Sequence, residues 1–226
     1  MTACPICATE ATAKREGTPY WICPSCACWF QWPQPPKCYQ DPAEPMVMND
    51  HDKAVNHSLA RHLVEHVMGG KPGRTLDVGA GWPYLAHCLA ELGCDAGAID
   101  GEPIPSPDLR VQAVKLDFEQ WSGDSPANFQ LVTCIHSFEH QYQPLAALRK
   151  LRRIVADDGR VFIRLPDHGV RGFERDLTAH HWLIHPYFHS LDSILEALQR
   201  TDTFTVMETS IIDGAGQRDI LLRPIT

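Results

Sequence analysis

The sequence predicts an α/β protein: a doubly wound, mostly parallel sheet closed by a C-terminal antiparallel hairpin, with a small cysteine-rich module ahead of it. Three observations predict it. From about residue 52 onward, apolar runs of strand length alternate with stretches of helical period, the pattern of a parallel sheet covered by helices. Two glycines follow the first such run, in Thr75-Leu-Asp-Val-Gly-Ala-Gly81. Six of the nine cysteines fall before residue 40, where that alternation is missing.

Cys4-Pro-Ile-Cys7 and Cys23-Pro-Ser-Cys26 stand fifteen residues apart, a spacing suited to four thiolates on one zinc ion. Two residues between thiolates let a tight turn aim both sulfurs at one point, and the proline after each first cysteine pre-sets that turn. Gly17-Thr18-Pro19 reads as a hairpin tip before Tyr20-Trp21-Ile22. A zinc ribbon is therefore expected, with Cys4, Cys7, Cys23 and Cys26 as ligands. Its metal is expected to be structural, because four thiolates close the coordination shell. Cys28 and Cys38 are left over, Cys28 being an alternative to Cys26. Gln31–Lys37 and Asp41–Pro45 are proline-rich and read as a linker, so residues 1–45 form one unit and 46–226 the other.

In the second unit, Val55, Leu59, Leu63 and Val67 recur at helical spacing and Gly69-Gly70 stops the helix. Arg74–Val78 is the first strand. Pro83 suits the first turn of a helix carrying Leu85, Leu89 and Leu92, and Gly93 ends it. Ala96–Ile99 and Val111–Leu116 are the next strands, and Phe129–Ile135 is an uninterrupted apolar run typical of a central parallel strand. A helix follows on Leu145, Leu148, Leu151 and Ile154, then a turn at Asp157-Asp158-Gly159 and a strand at Arg160–Leu165. Ser190 caps a helix carrying Leu191, Ile194, Leu195 and Leu198. Strands near Phe204–Ser210 and Asp219–Leu222, joined by Asp213-Gly-Ala-Gly216, form the closing hairpin. Cys88, Cys94 and Cys134 read as packing residues.

Composition excludes some functions. A net charge of −8 and a ribbon with no basic excess argue against nucleic acid as a partner. No run approaches the roughly 18 apolar residues of a membrane helix, and the first residues have no apolar leader, so a cytoplasmic protein is expected. An odd number of cysteines cannot all pair within one chain, which agrees with a reducing compartment. Oligomeric state is left open.

The glycine loop lies where the first strand ends, at the place where open α/β sheets hold ligands. A dinucleotide fingerprint wants a third glycine where Tyr84 stands, and no phosphate-binding lysine follows. Asp77-Val-Gly79-Ala80-Gly81 instead resembles motif I of the class I S-adenosylmethionine-dependent methyltransferases, a Rossmann-like family. The segments Phe129–His136 with Phe138-Glu139-His140, and Leu151–Pro166, resemble later motifs of that family, so the similarity covers about residues 50–226. The resemblance implies that Asp77, Gly79, Ala80 and Gly81 hold the methionine part of S-adenosylmethionine. It implies that Asp100 receives the ribose hydroxyls and that Asp117 and Phe118 flank adenine. Pro83 stands where the family has a third glycine, which stiffens the loop.

Methyl transfer needs an aligned nucleophile and somewhere to send a proton. His140, with Glu139 beside it and His136 nearby, is the candidate base at the cofactor mouth. His180, His181, His185 and His189, with Trp182, Tyr187 and Phe188, are candidates to line the acceptor pocket, with Asp167, His168, Arg171, Glu174 and Arg175 close in sequence. A ribbon ahead of a methyltransferase domain is similar to sugar C-methyltransferases and to ribosomal RNA guanine methyltransferases. The expected function is transfer to a small-molecule acceptor by direct displacement. An RNA methyltransferase and a non-catalytic interaction protein are the alternatives.

Overall fold

The computed structural model describes residues 2–37, 49–105, 109–122, 128–173 and 185–226. The N-terminal part begins with an antiparallel pair, β1 (Thr2–Ala3) and β2 (Glu10–Ala11). β3 (Ala13–Lys14), β4 (Tyr20–Ile22) and β5 (Trp29–Gln31) then form an antiparallel sheet. The two cysteine turns are near copies of one another. The Cys4 N–H donates to the Thr9 carbonyl and the Cys23 N–H to the Cys28 carbonyl, both at 2.9 Å. Ala8 and Ala27 follow the second cysteine of each turn with φ of 60° and 55°.

α1 (Asp50–His62) starts at Asn49, whose side chain accepts the Asp52 N–H, and widens over Leu63–Val67. Next come β6 (Arg74–Val78), α2 (Tyr84–Glu91), β7 (Asp95–Asp100), β8 (Ala113–Lys115), β9 (Phe129–Ile135), α3 (Pro144–Ile154) and β10 (Val155–Pro166). After β11 (Tyr187–Phe188) come α4 (Leu191–Thr201), β12 (Phe204–Ile212) and β13 (Gln217–Pro224). The main sheet has the order β12-β13-β10-β9-β6-β7-β8. Strands β8, β7, β6, β9 and β10 run parallel, and β13 is antiparallel to both β10 and β12. The fold is the expected Rossmann-like one, with its closing hairpin.

β9 is apolar except at Gln130 and Thr133, because both its faces are covered. Leu131 and Phe162 of β10 meet Leu63, Leu85 and Leu89 on the α1–α2 side. Val132, Val161 and Ile163 meet Leu148, Leu151, Ile194 and Leu198 on the α3–α4 side. Ser190 caps α4 as expected, in a reciprocal arrangement with Ser193.

Three expectations change. Asp157-Asp158-Gly159 is not a separate turn before β10. Val155 already pairs with Phe129, the chain bulges through the next four residues, and Arg160 resumes against Leu131. A Cβ on Gly159 would stand 2.7 Å from the Phe129 carbonyl oxygen, so the bulge lies flat only with glycine there. Second, the proline-rich stretch before residue 38 is packed rather than a loose linker. The Gln34 amide donates to the Tyr142 carbonyl and the Tyr187 hydroxyl, and Tyr142 donates to the Pro35 carbonyl. Third, the ribbon sheet takes a strand from the second unit, since β11 pairs with β5, Tyr187 opposite Phe30 and Phe188 opposite Trp29. Cys4, Ile6, Cys7 and Phe30 lie in the same core as Leu198 and Phe204. Cys38, Asp41–Pro45, Glu174, Arg175, His180, His181 and Trp182 lie outside the described residues. Among the described residues no helix is long and apolar enough to cross a membrane.

Candidate active site and thiolate cluster

The sulfurs of Cys4, Cys7, Cys23 and Cys26 all lie within 4.8 Å of one another and are buried. Cys4 and Cys26 are 3.7 Å apart and Cys7 and Cys23 3.3 Å. A tetrahedral ion with sulfur bonds of about 2.3 Å spaces its ligands about 3.8 Å apart, so the donor set and its spacing suit zinc. The Cys26 N–H points at the Cys23 sulfur from 3.5 Å, as expected where a backbone donor steadies a thiolate. Cys28 stands outside the set and donates to the Trp29 carbonyl.

At the carboxyl end of β6, Gly79 turns with φ of 72° and Gly81 with φ of 50°. A side chain on Gly79 would collide with Ser137, whose hydroxyl donates to the Val78 carbonyl at 2.6 Å. The backbone of the first bend is thus clamped between β6 and the segment after β9. Asp100 ends β7 with a carboxylate that accepts the Gly81 N–H at 2.8 Å and the Glu102 N–H at 2.7 Å. Asp77 is buried and accepts the Thr133 hydroxyl at 2.6 Å. Burial pushes its carboxyl up to about 6, against the pull of the Thr133 hydrogen bond, and the charge of Asp100 adds to the rise. The Trp82 indole N–H is buried with no hydrogen-bond partner among the described residues. A bare bend, an acidic strand end and an unused donor fit a nucleoside with a cationic amino-acid tail. Asp77, Gly79, Ala80, Gly81 and Asp100 would hold it. Thr133 and Ser137 brace this stretch through Asp77 and the Val78 carbonyl, and Trp82 follows Gly81 directly. The sequence reading passed over them, although Ser137 sits inside the His136–His140 stretch that it singled out.

The adenine end differs from the expected arrangement. Asp117 follows β8, and Lys37, from the packed stretch after the ribbon, donates to both its oxygens at 2.9 and 2.7 Å and to Glu119 at 2.8 Å. Burial works against the Lys37 charge, yet the two carboxylates outweigh it and hold the lysine above its usual range. The Phe118 ring lies in the core beside Trp121, with Lys150 over its face. Nothing in the sequence pointed to Lys37, because a lysine in a proline-rich stretch looks like a solvated linker charge.

His136, Glu139 and His140 come together just past β9. Glu139 is fully buried, with His136 Nδ1 3.6 Å from its Oε1. Burial alone would raise its carboxyl, but His136, His140 and His185 outweigh burial and hold it at about 2. His140 is half-buried, and its ring centre lies 4.6 Å from that of buried His185. The ribbon fixes His185: its carbonyl accepts the Tyr20 hydroxyl at 2.8 Å and the Gln31 amide at 3.0 Å. Of the other expected lining, His189 is buried between Phe138 and Tyr187, and burial lowers its pKa to about 4. Asp167 pairs with Arg218, His168 stacks on Trp29, and Arg171 pairs with Asp213. These four serve packing and the hairpin, not the crevice.

An open α/β sheet of this strand order, with a glycine bend and an acidic strand end at its reversal point, defines a class of nucleoside-accommodating folds. Residues 51–207 match the family model described as "Methyltransferase domain", more than half of the chain, and the chain belongs to that family. The ubiquinone biosynthesis O-methyltransferase of Aliivibrio fischeri (strain MJ11) is 27% identical over 128 residues, 53% of this chain and 55% of that protein. Its counterpart in Xanthomonas campestris pv. campestris (strain B100) is 33% identical over 106 residues, 41% and 43% of the two chains. The chain therefore matches about half the length of these curated relatives. Among solved structures, the 1,6-didemethyltoxoflavin-N1-methyltransferase of Burkholderia thailandensis superposes with a TM-score of 0.57 at 18% identity, covering 82% of this chain and 94% of that one. The magnesium protoporphyrin IX methyltransferase of Synechocystis PCC 6803 gives 0.56 at 17%, covering 79% and 89%. These two likenesses are likenesses of fold.

Proposed function

We propose that this chain is an S-adenosylmethionine-dependent methyltransferase acting on a small-molecule hydroxyl or amine, with a structural zinc ion on Cys4, Cys7, Cys23 and Cys26. The observation that carries it is the left-handed bend from Gly79 to Gly81 at the end of β6, bracketed by Asp77 and Asp100, with Glu139 and His140 just past the adjoining strand. Bound there, S-adenosylmethionine supplies an electrophilic methyl group on a sulfonium. Asp77 and Asp100 give the crevice its negative charge, which suits a cationic ligand. Asp100 has lone pairs left for ribose hydroxyls beyond its two backbone donors. The half-buried His140 ring is placed to take the proton that the acceptor loses, and Glu139 stabilises the imidazolium that results. The O-methyltransferase names of the curated relatives support a hydroxyl acceptor.

Calorimetry on the full chain tests the donor, and release of S-adenosylhomocysteine across a panel of phenols and amines tests the reaction. Expected are binding of S-adenosylmethionine with one site per chain, and turnover that drops at least about 100-fold in His140→Ala, the range typical of losing a general base. Folded protein that binds no S-adenosylmethionine overturns the assignment.

A further inference from the structure

The Glu139 carboxylate poses a separate problem. It is completely buried, and neither oxygen has a hydrogen-bond partner among the described residues. A buried carboxylate left that way is costly unless a cation neutralises it. His136 Nδ1 stands 3.6 Å from Oε1, an ion-pair distance just outside hydrogen-bond range. Two more imidazoles stand close to the carboxylate: one ligand atom each from Glu139, His140 and His185 lies within 4.8 Å of the other two. We propose that Glu139, His140 and His185 form a second metal site, separate from the thiolate cluster, which binds a divalent transition ion of the zinc type and leaves a coordination position open toward the acceptor.

The donor set carries the choice of ion. Two imidazoles and one carboxylate match catalytic zinc and its neighbours in the first transition row, whereas magnesium and calcium want oxygen alone. Ligands about 2.1 Å from one tetrahedral ion stand about 3.4 Å apart, so the three groups need to close by on the order of an ångström. Three protein ligands leave a fourth position, and His140 marks the side where it opens, since Glu139 and His185 are buried and His140 is only partly so. The supports of the ligands are already built. Tyr20 and Gln31 pin the His185 backbone from the ribbon, and Glu139 and His140 sit on one tight turn, Phe138–His140.

This deepens the methyltransferase reading of the same site and rests on it for its chemistry. A hydroxyl on the open position would ionise near neutral pH. Its O–H bond breaks and the proton passes to half-exposed His136. The oxygen pair then bonds the methyl carbon, and the methyl–sulfur pair goes to the departing thioether. With an ion in place His140 is a ligand, and the proton acceptor is His136.

Stripping the full chain of metal and titrating it with cobalt(II) tests the site without turnover. Two equivalents are expected: one with the sulfur-to-cobalt absorption of the thiolates, the second with weak visible bands only. Glu139→Gln and His185→Ala should each weaken the second equivalent by at least about tenfold and leave the first intact. A single equivalent in the wild type, or a second equivalent unchanged in Glu139→Gln, overturns the proposal. If His185→Ala also loses the thiolate absorption, the ribbon has come apart and the near-isosteric Glu139→Gln decides alone. Calorimetry with S-adenosylmethionine separates the two readings: cobalt without donor binding sinks the methyltransferase reading, and donor binding without the second cobalt sinks this one.

Discussion

On the donor side of the crevice, Asp77, Gly79, Gly81 and Asp100 fall within one strand, one bend, one helix and the next strand. Their contacts are mostly backbone ones: Gly81 N–H to Asp100, and Ser137 to the Val78 carbonyl. On the acceptor side, His140 and His185 come from segments 45 residues apart, and Tyr20 and Gln31 of the ribbon hold the second of them. The donor side is therefore a property of a local supersecondary unit, while the acceptor side exists only once the N-terminal ribbon has closed on β11. That difference predicts that the two sides can be broken separately.

The largest effect should come from removing the metal from the thiolates. Structural zinc sites contribute about 10–16 kcal/mol of apparent binding free energy, and here the ribbon supplies β5, the partner strand of β11. Cys4→Ser combined with Cys23→Ser should release His185 and abolish turnover, by more than about 100-fold on the same scale. S-adenosylmethionine should still bind, because Asp77, Gly79, Gly81 and Asp100 make their hydrogen bonds to Thr133, Ile99 and one another rather than to the ribbon. Calorimetry and a turnover assay on one preparation check this. Loss of both together would mean that the ribbon supports the whole sheet and that the two sides are not separable.

The complementary break is Gly79→Ala. A φ of 72° costs a non-glycine residue about 1–2 kcal/mol, and the new methyl also meets the Ser137 side chain. The φ part alone, about 1–2 kcal/mol, is a cost to the folded bend and should appear as lost folding stability, with S-adenosylmethionine binding weakened as the bend shifts to relieve the collision. The cobalt stoichiometry of both metal sites should stay unchanged. Adding Ser137→Gly should recover the part due to collision and leave the part due to φ, and the difference between single and double variants measures each.

The same contrast explains what was legible in the sequence. The alternation of strands and helices, the glycine bend and the Asp77–Asp100 bracket follow from periodicity and turn chemistry within short stretches, so a reader of the chain finds them. The four thiolates were equally open, because each pair carries its own spacing. His185 stood out only as one of four histidines, and nothing local separates it from His189. Yet one sits beside Glu139 and the other is packed between Phe138 and Tyr187. That distinction depends on the register in which β11 joins β5, a contact between residues more than 150 apart. The surroundings of Phe118 were hidden for a related reason. Asp117 is held at the rim by Lys37, and the next ring turns inward onto Trp121 and Lys150.

Lys37 is where the two sides meet, and it offers the smallest and sharpest test. Its ammonium spans Asp117 and Glu119 from a stretch anchored by Gln34 and Pro35 on Tyr142. Asp117 already accepts the Glu119 N–H on the oxygen that also takes one Lys37 contact, so the exocyclic amine of adenine has to share what remains. A partly exposed pair of this kind contributes about 0.5–1 kcal/mol. Lys37→Ala should therefore tighten S-adenosylmethionine binding by about two- to fivefold and lower the thermal midpoint slightly, with high salt erasing the difference between variant and wild type. Weaker binding in the variant would reverse the roles: the strap would then be a wall of the adenine site rather than a competitor for its carboxylate, and the donor side would owe part of its shape to the ribbon after all.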